Sequence, residues 1–416
     1  NAQMEKIKKL INLINIEKID GYLVPKNDEY FGEYISNDRD RLKYITGFSG
    51  SYGFSLILKK KNYLFVDGRY FLQAIKQSGK LFKIIPIHNK THDKIFNSRK
   101  LSIGFDPKLF TKQTLIRFSK NKNLRLIPLK KNLIDEIWKR RIKFHNERFY
   151  NLPKVSIDKS YKSKIKKVTS ILKKSGADFL LITASENNAW LLNIRGRDSK
   201  YSPIPNSYIL INKNGNIKFF TNPKKISNSL KNYFNNIDFI NIKSVEKILN
   251  QINNKKFMID FNTCSFHFEN IILKNNKIIN DRDPIYEFKS IKSNKELENI
   301  KRAHIIDGAA LTKYLFWIKK NFKKKKITEV SASKKLYEFR KKNKKFKFLS
   351  FPTISSSGPN GAIIHYKADE QSNRILKKGD IYLIDSGGQY EFGTTDVTRT
   401  ISLDNSNKRI KNIFTR

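Results

Sequence analysis

Two aspartates stand on either side of a glycine-rich turn in the stretch YLIDSGGQYEFGTTDVTRTISL, residues 382–403. The flanking stretches alternate like β-strands, which places Asp385 and Asp396 in one hairpin. If the hairpin turns between Tyr390 and Glu391, the two carboxylates lie directly opposite each other, with Cβ atoms about 5 Å apart. Anions at that spacing repel, and a cation between them removes the repulsion. The pattern predicts either a site for Mn²⁺, Mg²⁺ or Zn²⁺, or two aspartates that cap the turn and face water.

A histidine is the third residue that can take part in such chemistry. His365 lies in FPTISSSGPNGAIIHY, residues 351–366, twenty residues before Asp385. The Gly-, Pro- and Ser-rich loop before it can carry it to the face of the hairpin, and loop glycines permit close approach of a ligand. A histidine among apolar residues is otherwise typical of a buried, hydrogen-bonded side chain. The sequence leaves both interpretations open.

The element that opens this part of the chain is a helix with a clear start. Ser293 and Glu296 in the stretch SNKE form a capping box, and apolar residues follow at helical spacing from Leu297 onward. We therefore predict a long amphipathic helix that begins a third domain, with bounds of 285–416.

The first two thirds of the chain contain a near-repeat. Residues 6–25, KIKKLINLINIEKIDGYLVP, match residues 164–183, KIKKVTSILKKSGADFLLIT, at a constant offset of 158. Each copy runs from an amphipathic helix into a strand, and a hairpin-like pair of strands follows each copy. We predict two mixed helix and sheet domains of related fold, at 1–150 and 151–284.

Charge and cysteine content limit the classes of partner and compartment. The chain has 84 Lys+Arg against 37 Asp+Glu, a formal net charge of +47, and one cysteine, Cys264. The lysines are spread along the whole chain without the signatures of RNA or DNA binding, so we expect solvated charge and no nucleic-acid partner. A single cysteine permits no intrachain disulfide, and no apolar run reaches the length of a membrane span. We expect a cytoplasmic protein with no membrane partner.

The motifs together resemble a known family, the Xaa-Pro aminopeptidases (aminopeptidase P) of the creatinase/prolidase "pita-bread" metallopeptidases. The resemblance covers essentially the whole chain in order and rests on the stretches TGFSGSYG, DGRYFLQA, WLLNIRGRD, FLSFPTISSSGPNGAIIHY and LIDSGGQYEFGTTDVTRT. It implies a mixed α/β (α+β) fold, in which two creatinase-like N-terminal domains precede the first half of a pita-bread catalytic domain.

The resemblance also implies a function for the three candidate residues. Asp385 and Asp396 take the place of the first two ligands of a dinuclear centre, with two divalent ions, Mn²⁺ in preference to Zn²⁺ or Co²⁺. His365 takes the place of the histidine that assists the scissile peptide. The implied activity is release of an N-terminal residue linked to proline, by a homodimeric enzyme. One His and two Glu ligands are expected beyond Arg416, so we expect the chain to be truncated within the catalytic domain and inactive alone. An inactive pita-bread binding module and a prolidase acting on Xaa-Pro dipeptides remain as alternatives.

Overall fold

The computed structural model describes residues 2–87, 100–120, 122–141 and 147–416, and the chain divides into two compact units. Unit 1 comprises Asn1–Asn151 and Lys159–Ile291, and unit 2 comprises Leu152–Asp158 and Lys292–Arg416. No helix in the described ranges combines the length and the apolar character needed to cross a membrane.

The first half of unit 1 is a six-stranded sheet with helices packed on it. Its strand order is β4-β3-β2-β1-β5-β6, with β1 antiparallel to β2 and parallel to β5. Helix α1 buries Ile7, Leu10 and Ile14, whose three- and four-residue spacing places them on one helix face. The strands are β1 Gly21–Pro25, β2 Phe54–Leu58, β3 Asn62–Val66, β4 Lys83–Pro86, β5 Leu101–Phe105 and β6 Leu124–Pro128. The helices are α1 Ala2–Ile16, α2 Arg41–Thr46, α3 Phe71–Ser78, α4 Lys112–Ser119 and α5 Leu133–Ile137.

The second half of unit 1 repeats this architecture. Its sheet has the order β12-β11-β10-β8-β13-β14, with β8 antiparallel to β10 and parallel to β13. The strands are β8 Phe179–Ile182, β10 Tyr208–Asn212, β11 Ile217–Thr221, β12 Ile237–Asn241, β13 Lys256–Ile259 and β14 Lys277–Asn280, and a separate pair joins β7 Tyr150–Asn151 to β9 Ile194–Arg195. The helices are α6 Tyr161–Ser175, α7 Ser185–Leu192, α8 Asn228–Tyr233, α9 Val245–Gln251, α10 Phe266–Leu273 and α11 Pro284–Ser290. The predicted repeat is confirmed: β1 and β8 begin 158 residues apart and hold the same place in their sheets.

Unit 2 is built on three helices and two small sheets. The predicted capping box is present, because Ser293 Oγ accepts from the Glu296 amide while the Glu296 carboxylate accepts from the Ser293 amide. It starts a helix of 28 residues. The helices are α12 Asn294–Asn321, α13 Glu329–Lys341 and α14 Lys408–Thr415. The strands are β15 Phe346–Leu349, β16 Ile354–Ser357, β17 Ile381–Ser386, β18 Gly388–Tyr390, β19 Gly393–Thr394 and β20 Val397–Ser402, in sheets ordered β15-β18-β19 and β16-β17-β20.

A short segment from much earlier in the sequence belongs to unit 2. Residues Leu152–Asp158 lie in this unit, where the side-chain amide of Asn299 on α12 donates to the carbonyl oxygen of Ser156 at 3.4 Å. Unit 2 is therefore assembled from two separate stretches of chain.

Candidate metal centre

The hairpin that carries the two aspartates has a different register from the predicted one. Strand β17 pairs with β20 so that Asp385 lies opposite Thr398, and Tyr390 pairs with Gly393 across a turn at residues 391–392. The predicted opposition of Asp385 and Asp396 is therefore wrong. Asp396 lies between β19 and β20, outside both strands, so it is not the cross-strand partner of Asp385.

The burial of Tyr390 explains why the turn comes one residue later than predicted. Its ring packs with Ala303 and Phe346 in a small buried cluster, and its hydroxyl donates to Asp307 Oδ1 at 2.7 Å. A residue held inward by packing and a hydrogen bond stays in its strand. The turn therefore forms at the next two residues, of which Glu391 makes an ion pair with Lys345 at 2.8 Å.

A glycine separates the two parts of the hairpin. At Gly387 a Cβ atom would lie 1.9 Å from the carbonyl oxygen of Thr395 and 2.2 Å from Ser350 Oγ. Ser350 Oγ donates to the same carbonyl at 2.8 Å, and Thr395 Oγ1 accepts from the Gly388 amide at 2.9 Å. Only glycine permits this approach, which ends β17 directly after Asp385 and Ser386 and fixes the start of the segment that carries Asp396.

The charges of Asp396 and His365 both act on Asp385. Burial raises the pKa of Asp385, and the charge of Asp396 raises it further, whereas a hydrogen bond from Thr398 and the charge of His365 lower it. Asp385 is half-buried, Asp396 is exposed, and Asp385 Oδ1 has no hydrogen-bond partner within the described residues. A buried carboxylate oxygen without a donor is a chemically suitable metal ligand.

His365 is exposed, so the alternative of a buried core histidine is wrong. Its backbone has φ of 56°, in the left-handed region that non-glycine residues seldom adopt. Such a conformation persists where the surrounding structure imposes it. The contacts of the loop that carries His365 supply that constraint.

Glu329, which the sequence analysis missed, holds this loop in place through hydrogen bonds to its carboxylate. Glu329 is the first residue of α13, and its side chain is fully buried. Its carboxylate accepts hydrogen bonds from four donor groups. The donors are the Ser357 amide at 2.7 Å, Asn360 Nδ2 at 3.1 Å, the Tyr366 hydroxyl at 2.6 Å and the Arg374 amide at 3.1 Å. One carboxylate thus ties together the loop on both sides of His365.

A second buried network fixes the strand that bears Asp385. Arg340 and Asp307 are both fully buried and form a bidentate pair, with Nε to Oδ1 at 2.7 Å and Nη2 to Oδ2 at 3.0 Å. Arg340 Nη2 also donates to Ser386 Oγ at 3.0 Å, next to Asp385. Burial disfavours the charge of Asp307, but the hydrogen bonds and charge of Arg340, together with the Tyr390 hydroxyl, lower its pKa below the usual value. No local pattern in the sequence indicates this pair, because its members lie 33 residues apart.

The described residues contain no cluster of three or more His, Cys, Asp or Glu side chains arranged to hold one metal ion. Asp385 and Asp396 can supply hard oxygen ligands, and an ion held by two carboxylates completes its shell with water or with further ligands. The residues present therefore fit part of a divalent-metal site.

Comparison with known proteins identifies the domains. Residues 6–137 match the "Creatinase/Prolidase N-terminal domain" model, residues 140–296 match a second model of the same description, and residues 298–416 match "Metallopeptidase family M24". These matches give the chain two creatinase-type N-terminal domains followed by a domain of metallopeptidase family M24.

Similar proteins narrow this class. The chain is 34% identical to a probable Xaa-Pro aminopeptidase P of Laccaria bicolor, over 99% of this chain and 66% of that protein. It is 30% identical to aminopeptidase P1 of Arabidopsis thaliana, over 95% of this chain and 70% of that protein. A crystal structure of the Caenorhabditis elegans X-prolyl aminopeptidase, described as a cytosolic enzyme with a di-nuclear active site, superposes with a TM-score of 0.91 at 28% identity, over 98% of this chain and 71% of that one.

The chain belongs to the Xaa-Pro aminopeptidase P family of metal-dependent aminopeptidases. It spans about two thirds of the length of these relatives, 66% for the Laccaria protein and 71% for the Caenorhabditis structure.

Proposed function

We propose that the protein expressed from the complete gene releases the N-terminal residue from peptides that carry proline in second position. One observation supports the proposal: in a chain of this family, the charges of Asp396 and of His365 both act on Asp385. Proline lacks an amide N–H, so a site for the bond before proline needs no acceptor for that group and can present an apolar pocket to the ring.

We propose Asp385 and Asp396 as ligands of two divalent ions, with Mn²⁺ in preference to Zn²⁺ or Co²⁺ because both ligands are hard oxygen donors. Bound divalent metal lowers the pKa of a coordinated water until hydroxide is available near neutral pH. The proposed part of His365 is to donate a hydrogen bond to the carbonyl oxygen of the scissile peptide as negative charge develops there. Its exposure suits contact with a substrate, and the loop held by Glu329 fixes its position.

We further propose one His and two Glu as the remaining ligands, outside these 416 residues, and a homodimeric protein of the cytoplasm. The support for these points is the family resemblance, together with the description of the Caenorhabditis enzyme as cytosolic and di-nuclear.

The test uses protein from the complete gene, stripped with a chelator and reloaded separately with Mn²⁺, Zn²⁺ or Co²⁺. Paired tripeptides that differ only in proline or alanine at the second position report specificity, and an Xaa-Pro dipeptide separates this activity from that of a prolidase. Asp385→Asn and Asp396→Asn should each abolish nearly all turnover, because each removes an anionic ligand. Asp404→Asn is the matched control, because it removes another carboxylate of unit 2. The backbone of Asp404 has φ of 97°, a conformation that Asn tolerates well.

Three results would overturn the proposal. Normal turnover by Asp396→Asn after metal reloading would remove that residue from the site. Equal cleavage of the proline and alanine tripeptides would refute the specificity. Metal binding by the complete protein without cleavage of any peptide would favour the inactive binding module.

A further inference from the structure

The histidine proposed to act on the substrate occupies a strained position in a β-turn. The turn comprises residues 363–366 and is closed by a hydrogen bond from the Tyr366 amide to the carbonyl oxygen of Ile363 at 3.2 Å. His365 is the third residue of the turn and has φ of 56°, whereas Ile364 before it has a negative φ. A positive φ at the third position alone is the pattern of a type II turn, where glycine or asparagine is normally found. Histidine at this position costs conformational free energy that another contact must offset.

The residue that follows the histidine anchors the turn. Tyr366 is 6% exposed, although the two isoleucines of the same turn are exposed. Its hydroxyl donates to Glu329 Oε2 at 2.6 Å and accepts from Asn360 Nδ2 at 2.9 Å, and the carbonyl oxygen of Ser372 lies 3.0 Å from it. Burial, and next the hydrogen bond to Glu329, raise the pKa of Tyr366, so its hydroxyl stays protonated and donates near neutral pH.

The buried tyrosine and the exposed histidine are neighbours in the chain, and they constrain the backbone between them. The side chain of Tyr366 points into unit 2 to reach Glu329, which lies 37 residues earlier at the first residue of α13. His365 is exposed, and its charge acts on Asp385. The left-handed φ of His365 allows both arrangements at once. A hydrogen bond to a charged group is strong enough to offset the strain of one such residue.

We propose that Tyr366 is a positioning residue, whose hydroxyl bond to Glu329 holds His365 in the left-handed conformation that presents the imidazole to the substrate. The catalytic part of this inference rests on the proposed function, but the constraint on the turn is a property of unit 2 itself. The fold gives up stability at His365 and gains an imidazole that is in place before the substrate binds. Without the hydroxyl the turn relaxes, and the imidazole occupies its working position for only a fraction of the time.

The first test is a double-mutant cycle in protein from the complete gene, loaded with Mn²⁺. Tyr366→Phe removes only the hydroxyl, and Glu329 keeps the Ser357 and Arg374 amides as donors. For an Xaa-Pro tripeptide kcat should fall about tenfold, with KM and bound Mn²⁺ changed less than about twofold, because His365 acts on charge that develops in the transition state. In a His365→Ala background, Tyr366→Phe should change kcat less than about twofold.

The second test measures stability and needs no peptidase activity. Urea unfolding of unit 2 in the 416-residue chain is followed by the fluorescence of Trp317, in a Trp138→Phe/Trp190→Phe background. His365→Gly and His365→Ala both remove the imidazole, but only glycine adopts a positive φ without strain. With Tyr366 intact, His365→Gly should have the lower unfolding constant by about fivefold. With Tyr366→Phe the order should disappear or reverse, because a relaxed turn no longer favours glycine.

A second tyrosine supplies the matched control. Tyr337 lies on α13 and is 38% exposed. Tyr337→Phe removes a hydroxyl from the same unit, and it should change kcat and the unfolding constant less than about twofold.

Each contrary result overturns a defined part of the inference. An unchanged kcat in Tyr366→Phe, or losses that multiply in the double variant, would mean that Tyr366 does not act through His365. Equal stability of His365→Gly and His365→Ala with Tyr366 intact would show that the turn is not strained. If the complete protein cleaved no peptide, the proposed function would fail, and the stability comparison would still decide whether Tyr366 holds the turn.

Discussion

Arg340→Met should destabilise unit 2 strongly, because it breaks a pair that is fully buried on both sides. Methionine fills much of the volume but removes both bonds to Asp307 and the bond to Ser386. Asp307 would keep the Tyr390 hydroxyl as a hydrogen-bond donor, at 2.7 Å, but its negative charge would have no positive partner. Removal of one partner from a buried ion pair costs about 3–5 kcal/mol, and we expect a loss of that size.

The measurement needs a probe confined to unit 2, because a chain of two units does not unfold as one two-state system. Of the three tryptophans only Trp317 lies in unit 2, on α12. In a Trp138→Phe/Trp190→Phe background, urea unfolding followed by the fluorescence of Trp317 reports on this unit. Lys334→Met on the same helix as Arg340 is the control: its side chain is exposed, so we expect a change within about 0.5 kcal/mol.

A second substitution tests the reason for the loss. In Arg340→Met/Asp307→Asn no unpaired charge remains, so the double variant should lose clearly less stability than the sum of the two single variants. The difference between wild type and Arg340→Met should also narrow as the pH falls, because the lowered pKa of Asp307 stabilises the fold only above that pKa. A loss below about 1 kcal/mol in Arg340→Met, or additive losses in the double variant, would refute the reasoning.

Three further outcomes are expected. Glu329→Gln puts an amide donor where four donors converge, so trypsin should cleave the loop at residues 357–374 about tenfold faster or more, whereas the exposed Glu338→Gln should have no effect. Burial, and next the charge of Glu29, raise the pKa of Asp28 to about 6. In the unfolded chain this carboxyl ionises at a lower pH than in the folded protein, so unit 1 loses stability as the pH rises from about 4 to 6. Asp28→Asn should remove up to about 3 kcal/mol of that loss, as measured by denaturation at different pH values. The 416-residue chain should bind Mn²⁺ with a Kd of about 0.1–1 mM or weaker by calorimetry and cleave no Xaa-Pro peptide; tight stoichiometric binding with turnover would contradict the assignment of only two ligands.

Features with local causes could be predicted from the sequence. The start of α12 follows from Ser293 and Glu296, which are three residues apart and bond only to each other's backbone. The repeated sheets follow from a helix and strand pattern that returns at a constant offset. The strand that carries Asp385 and the strand that begins directly after Asp396 were likewise indicated by alternation.

Features fixed by contacts between residues far apart in the sequence could not be predicted. The hairpin register depends on Tyr390, whose partner Asp307 lies 83 residues away, so the turn could not be centred from its own residues. Glu329 reaches donors 28 to 45 residues further along the chain. A glutamate at the first turn of a helix is an ordinary helix-start residue, and nothing local distinguished this one from its solvated counterparts.

The membership of Leu152–Asp158 in unit 2 has a consequence for synthesis of the protein. This segment leaves the ribosome well before α12, its partner through Ser156 and Asn299, so unit 2 cannot be completed until residues 159–291 have been made. Closing so long a loop from an unfolded chain carries an entropic cost, which falls once the intervening residues fold and hold their ends in place. The second half of unit 1 should therefore fold before unit 2 is complete.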